Sequence, residues 1–203
     1  GFKGAWLSIL LNYLGANVYG VSDVKKEGIY KVVEKSNILK KEFFIDINSL
    51  DESSANKLFK ETGPDIVFHF AAQPLVRDSY KNPKSTYAAN VTGTINLLEL
   101  LRGSSKPCVA IFVTSDKCYL NKDNKKIYIE SDRLGGEDLY SASKASAELI
   151  FEAYQKSFLN AQRPIKFASA RAGNVIGGGD MKKDRIVPDV MKSLINKTRL
   201  EIR

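Results

Sequence analysis

At 203 residues, 43% hydrophobic and 27% charged, the chain has the composition of one globular domain, or of a domain and a half. No apolar run approaches the ~20 residues that span a bilayer, and no secretory signal pattern is present, so a membrane partner is not expected. The net charge of +8 is scattered in pairs (Lys25-Lys26, Lys40-Lys41, Lys125-Lys126, Lys182-Lys183), with no long basic block or interleaved aromatics; nucleic-acid binding is not expected, and a phosphate-bearing small molecule is compatible.

Strand and helix signals alternate along the chain. Residues 3–14 carry an apolar helical stripe (Trp6, Leu7, Ile9, Leu10, Leu14) that Gly15 stops. Asn17–Val21 and Glu42–Asp46 read as short strands, and residues 52–62 as a polar helix ended by Gly63-Pro64. Asp65–Phe70 and Cys108–Val113 are near-continuous apolar runs, typical of strands buried on both faces. Between them residues 84–102 form a long amphipathic helix after Pro83. Residues 121–137 are polar, as in a surface loop. A helix over 138–160, a strand at Ile165–Ala170 and a helix over 185–196 follow. This alternation predicts an α/β fold of parallel βαβ units. The two cysteines, Cys108 and Cys118, have neither metal-ligand nor redox spacing and suit a reducing cytoplasm.

Ligands of an open parallel sheet sit at the carboxyl ends of its strands. Asp46, Ala71-Ala72-Gln73, Ser115-Asp116-Lys117 and Asn174 all follow strands and are candidates for that reason. Tyr140-Ser-Ala-Ser-Lys144 places a phenol and an ammonium on one helical face. The positive charge favours the phenolate, as a tyrosine needs when it takes a proton from an alcohol whose carbon loses a hydride. Ser115-Asp116-Lys117 puts a hydroxyl, a carboxylate and an amine at one strand end. That set suits proton transfer to a substrate, or a polar turn with a helix cap. Gly1-Phe-Lys-Gly4 opens a helix, either as a plain turn or as a close approach of backbone to a pyrophosphate. Asp23 would bind a ribose diol or sit as a solvated carboxylate beside Lys25 and Lys26. His69, the single histidine, is expected as a buried hydrogen-bonding residue, and alone it makes no metal site. Arg171–Asp180 is a glycine-rich turn, or a loop that folds over a phosphate-bearing substrate.

Together these residues resemble the extended short-chain dehydrogenase/reductase family, the NAD-dependent epimerases and dehydratases. The markers are Gly1–Gly4, Asp46-Ile47, His69–Ala72, Asn90–Thr94, Thr114–Lys117, Tyr140–Lys144 and Arg171–Asn174, in matching order over essentially the whole chain. Longer strings, Gly1–Ser8, Ala71–Arg77, Ser115–Tyr119 and Arg171–Asp180, are similar to those of the family's CDP-glucose 4,6-dehydratases.

The resemblance implies a Rossmann-type doubly wound parallel sheet, a tightly held NAD and a nucleotide-sugar substrate, CDP-glucose first. It implies a lyase of deoxysugar biosynthesis, of the lipopolysaccharide/O-antigen kind, that oxidises C4, eliminates water across C5–C6 and returns the hydride to C6. By position, Tyr140 deprotonates the 4-hydroxyl, Lys144 anchors the nicotinamide ribose and tunes Tyr140, Ser115 hydrogen-bonds the 4-hydroxyl and Asp116 protonates the departing 6-hydroxyl. Lys117 stands where dTDP-glucose dehydratases carry a glutamate base. It acts there as a neutral amine of depressed pKa, or it stabilises the enolate while another group moves the proton. Gly1 and Gly4 are implied at the cofactor pyrophosphate, Asp46 and Ile47 at the adenine, and Ala71 and Ala72 near a cofactor ribose. Asn90 is implied as structural, and Asn174 and Arg185 at the substrate diphosphate. No metal is implied; a cytoplasmic location is, and so is a homodimer of the full-length protein. A nucleotide-sugar 4-epimerase, which needs Tyr140 and Lys144 but not the Asp116/Lys117 pair, and a non-catalytic NAD-binding module are the alternatives.

Residues 1–173 are expected to form the NAD-binding domain and 174–203 the beginning of a substrate-binding region. The chain opens on Gly1 and closes on Leu200–Arg203, which reads as the start of a strand. A fragment lacking both ends is therefore expected, without its first strand, with an unpaired internal sheet edge, and inactive and poorly soluble when expressed alone.

Overall fold

The computed structural model describes residues 1–23, 27–122, 125–158 and 164–200. The Lys25-Lys26 pair, the last two positions of the helix expected over 138–160 and residues 201–203 of the expected strand start lie outside the described residues. In chain order the elements are α1 (Phe2–Tyr13), β1 (Tyr19–Ser22), α2 (Ile29–Lys35), β2 (Lys41–Phe44), α3 (Glu52–Thr62), β3 (Ile66–His69), α4 (Val76–Lys81), α5 (Pro83–Tyr87), α6 (Gly93–Gly103), β4 (Cys108–Val113), α7 (Leu139–Phe158), β5 (Ile165–Ala170) and α8 (Ile186–Asn196). Short 3-10 turns lie at Ile47–Ser49 and Asp116–Cys118, and a π-turn at Ala88–Thr92.

The chain forms two compact units. One takes in Gly1–Phe44 and the chain from Asn174 onward. Its strands β1 and β2 pair in parallel, with Tyr19 opposite Lys41 and Ser22 opposite Phe44. Within it the Gly177–Gly179 loop lies against α1 and the start of α2: the Trp6 indole N–H donates to Gly178 O at 2.9 Å and Ile29 N–H to Gly179 O at 3.4 Å. Gly28 and Gly179 both have positive φ, 70° and 77°. A Cβ on Gly28 would stand 2.1 Å from the Gly179 carbonyl oxygen, so no larger residue permits this approach.

The other unit, Ile45–Gly173, holds a parallel sheet of order β3-β4-β5. His69 pairs with Phe112, and Cys108–Val113 runs beside Ile165–Ala170. The core packs Leu97, Leu98, Leu100 and Leu101 of α6 with Ala110 and Phe112 of β4, Phe151 of α7 and Ile165 of β5. Phe112, Phe151 and Phe167 form an aromatic cluster with centroids 5.4–6.4 Å apart. The helices are set by local signals: the Asp51 carboxylate caps α3 by accepting from Ser54 N–H at 2.6 Å, and Gly63 ends that helix in the left-handed region.

Three features depart from the sequence expectations. Helices α2 and α4 are not anticipated: each is short, without a side-chain cap, and too few periodic apolar positions mark them. The single helix predicted over 84–102 is α5, the π-turn and α6 end to end. Asn82, with φ −131° and ψ 65°, is driven out of the helical region by Pro83, and this separates α4 from α5. The strands expected to be buried on both faces are each open on one side near the start, at the paired residues Ile66 and Val109, 52% and 43% exposed, although Cys108 beside Val109 is buried.

Leu98 is fully buried in the α6 layer. Leu98→Ala is expected to lower unfolding free energy by about 2–5 kcal/mol, read as a lower urea midpoint.

Candidate active site

The backbone leaving β4 stays beside the backbone leaving β5. Thr114 N–H donates to Ala170 O at 2.9 Å and Asp116 N–H to Ala172 O at 3.1 Å. This extension of the ladder delivers Ser115, Asp116 and Lys117 onto one 3-10 turn at the sheet's carboxyl end. The Ser115 hydroxyl accepts from Lys117 N–H at 3.3 Å and donates to Asp116 Oδ1 at 3.0 Å. Ser115 is buried, whereas Asp116 and Lys117 are exposed. A Cβ on Gly173 would stand 3.7 Å from Asp116 Oδ2, so a side chain there would abut the carboxylate.

Helix α7 packs against this turn. Its start is set by Asp138, which accepts from Ser141 N–H at 2.9 Å and from the Ser141 hydroxyl at 2.6 Å. Gly136 lets the incoming chain pass over the first turn: a Cβ there would meet Ala142 N at 2.4 Å. Tyr140 and Lys144 are both buried on this helix, one turn apart. Ser143, wholly buried between them, donates to Tyr140 O at 2.7 Å and accepts from Asn90 Nδ2 at 2.9 Å. Asn90 lies in the π-turn, where the extra backbone residue turns it inward. Its amide also accepts from Gln73 N–H at 2.8 Å and donates to Gln73 O at 3.2 Å. One side chain thus joins the segment after β3, where Ala71 is exposed and Ala72 half-buried, to the helix of Tyr140.

Asp46 and Ile47 precede α3 in the same unit. The Asp46 carboxylate accepts from Asn48 N–H at 3.0 Å, and Asn96 Nδ2 donates to Ile47 O at 2.7 Å. Gly93 permits this contact, since a Cβ on it would approach Ile47 Cγ2 to 2.9 Å.

The remaining candidates belong to the unit of α1. Gly1 offers that helix no side-chain cap, no acidic residue occupies its first turn, and around Gly4 the space a Cβ would take is open to 4 Å. These features fit a pyrophosphate against the first turn. Arg185 pairs with Asp180 at 2.8 Å. Burial, and then the Arg185 charge, hold the Lys3 ammonium below the usual lysine range. Lys3 is a basic group in the first turn of α1 for which the sequence motif suggests no role of its own. Asn174 and Asp23 are exposed. Among the described residues no group of three His, Cys, Asp or Glu side chains is placed to hold a metal, and no helix is long and apolar enough to cross a membrane.

A sequence model of the family described as GDP-mannose 4,6 dehydratase matches residues 1–170. The chain belongs to that family. It is 41% identical to the CDP-glucose 4,6-dehydratase of Salmonella typhimurium, in an alignment that takes in all of this chain and 57% of the relative. It is 27% identical to the UDP-glucose 4-epimerase of Mycoplasma genitalium, over 88% of this chain and 52% of the relative. Among solved structures, UDP-glucuronic acid 4-epimerase from Bacillus cereus, in complex with UDP-glucuronic acid and NAD, matches with a TM-score of 0.81 at 22% identity, covering 98% of this chain and 62% of that one. That likeness shows the Rossmann-type α/β fold. The chain spans about half the length of the curated relatives it matches.

A buried and a half-buried ionisable group in this family member are not legible as a pair in the sequence. Glu148 and Arg171 meet at 3.0 Å across 23 positions, and the only signal is that Glu148 falls one turn beyond Lys144. The Cys118 thiol, buried at the end of the turn, is pushed up to about 11, chiefly by burial. His69 lies in β3 with Thr94 Oγ1 3.5 Å from its Nε2 and Phe112 edge-on at 5.4 Å. Burial, and then the nearby Lys144 charge, push it down to about 3 from 6.5, so it is neutral in the native state. Between those two values the unfolded chain binds a proton that the native chain does not, and stability is lost as pH falls. From pH 7 to pH 5 the loss attributable to His69 is expected to be about 2 kcal/mol. Urea midpoints of the protein and of His69→Gln at both pH values measure it, and the variant should show the shallower decline.

Proposed function

We propose that the chain carries the redox and proton-handling site of an NAD-dependent lyase that converts a nucleotide-activated glucose, CDP-glucose first, into the 4-keto-6-deoxy sugar nucleotide. The observation that carries this reading is the turn bearing Ser115, Asp116 and Lys117, packed against the helix of Tyr140 and Lys144. A 4-epimerase needs the Tyr/Lys pair alone; an elimination also needs an acid for the leaving hydroxyl and a group to meet charge at C5. The 41% identity to a CDP-glucose 4,6-dehydratase supports the same choice.

NAD supplies the chemistry of accepting a hydride from C4 and returning it to C6. Tyr140 takes the 4-hydroxyl proton, with the Lys144 ammonium favouring the phenolate, and Ser115 holds the hydroxyl oxygen. Once C4 is a ketone, the C5 proton is acidic. Water at the exposed turn takes it, the electron pair moves onto the C4 oxygen as an enolate and then into the C5–C6 double bond as the C6–O bond breaks, and Asp116 protonates the leaving 6-hydroxyl so that water goes. Lys117, exposed on the same turn, meets the negative charge that develops on the enolate. The return of hydride to C6 and a proton to C5 closes the cycle, with one water lost overall.

Gly1 and Gly4 would serve the cofactor pyrophosphate, Asp46 and Ile47 its adenine, Ala71 and Ala72 a ribose, and Tyr140 and Lys144 the nicotinamide ribose. Asn174 and the forked donor Arg185 would serve the substrate diphosphate. In this reading residues 1–173 are the NAD-binding part and 174–203 begin the substrate-binding part of a homodimeric enzyme. Two unpaired, buried thiols, Cys108 and Cys118, support a reducing, cytoplasmic setting.

Incubating the protein expressed from its natural gene with NAD and CDP-glucose is expected to yield a 4-keto-6-deoxy product; a 4-epimer of the substrate instead would overturn the reading. Tyr140→Phe should lower kcat by about 10²–10⁴-fold. In Lys117→Ala, turnover should fall while solvent deuterium still enters C5 of the bound intermediate. Loss of that exchange with C4 oxidation intact would make Lys117 the base.

A further inference from the structure

We propose that Glu148 and Arg171 are positioning residues that set the Ser115-Asp116-Lys117 turn against the helix of Tyr140 and Lys144. The proposal rests on the dehydratase reading above and assigns neither residue a contact with substrate or cofactor.

The Glu148 carboxylate is buried, and its three donors come from two stretches of chain, the ends of β4 and β5. The Thr114 hydroxyl donates to Oε1. The Ser169 hydroxyl and Arg171 Nη2 both donate to Oε2, each at 3.0 Å. Thr114 is the residue immediately before Ser115, and Glu148 lies one turn beyond Lys144 on α7. A single carboxylate therefore ties the entry of the catalytic turn to the catalytic helix. Arg171 ties the exit. Its guanidinium lies over the Tyr119 ring, 4.9 Å from the centroid, and its Nη1 donates to Glu130 O at 3.0 Å. Tyr119 directly follows the turn and stacks on Tyr128 at 5.1 Å. The loop beyond is closed back on the turn by Leu120 N–H to Arg133 O and Gly135 N–H to Cys118 O, both at 2.9 Å.

Space-filling alone does not call for an ion pair here, because well-packed apolar groups do that work at least as well. What the pair adds is direction: the planar guanidinium meets a carboxylate, an aromatic face and a carbonyl at fixed angles. The turn carries both groups assigned to the elimination, the acid and the cation, but only Ser115 of the three assigned to C4 oxidation; Tyr140 and Lys144 stay on their own helix. A loosened turn should therefore slow water loss more than C4 oxidation.

The test uses the protein expressed from its natural gene, with NAD and CDP-glucose. Arg171→Lys keeps the charge and loses the fork. It is expected to lower kcat by about 10- to 100-fold, to leave KM within about threefold, and to raise the steady-state fraction of reduced nicotinamide on the enzyme. Tyr119→Leu, which leaves the Glu148–Arg171 pair in place, should do the same and guards against a folding defect in the first variant. Wild-type kcat in both variants, or a lower kcat without build-up of reduced cofactor, overturns the proposal. If the unaltered protein forms no 4-keto-6-deoxy product, the dehydratase reading fails and the positioning role falls with it; normal wild-type turnover with unaffected variants sinks the positioning role alone.

Discussion

Everything of chemical interest in the Ile45–Gly173 unit depends on a parallel strand pair that continues to hydrogen-bond after its strands have ended. The bonds from Thr114 and Asp116 to the carbonyls of Ala170 and Ala172 keep two chain segments in register while their side chains are released from the pleat. A strand interior commits alternate side chains to opposite faces. Past the last ladder residue that commitment lapses, and a hydroxyl, a carboxylate and an ammonium gather on one turn without disturbing the Phe112 core beneath.

That arrangement survives because the polar groups behind it are paired. Asn90 satisfies both main-chain groups of Gln73 and reaches Ser143; Glu148 receives two hydroxyls and a guanidinium. An unpaired polar group in the same place would cost about 1–3 kcal/mol, and more if charged. The π-turn belongs to the same economy of contacts. It spoils the regular helical ladder locally and sets Asn90 where three partners can be met at once.

The architecture was legible in the sequence to the extent that it follows from short-range pattern. Alternating apolar runs and helical stripes place the strands and most helices within a few residues, and strand ends point to Ser115, Asp116 and Lys117. Tyr140 and Lys144 declare their common face by spacing. What depends on long-range closure stays hidden. Nothing local in Glu148 announces Arg171, since a parallel sheet joins residues through a crossover helix. The interruption at Asn82-Pro83 is visible as a proline, but the π-turn that follows has no residue signature. Burial is misjudged at Ile66 and Val109 because an apolar run says what a residue prefers and not whether a neighbour arrives to cover it.

The glycine loop has an optical consequence. Trp6 is the single tryptophan of the chain, its indole N–H is held by the Gly178 carbonyl, and Phe2 on the same helix faces Gly177. Indole emission responds to the loss of such a partner and to entry of water. The protein therefore carries an intrinsic fluorophore at the contact of the glycine loop with α1, and its emission spectrum reports whether that loop is docked without any label being added.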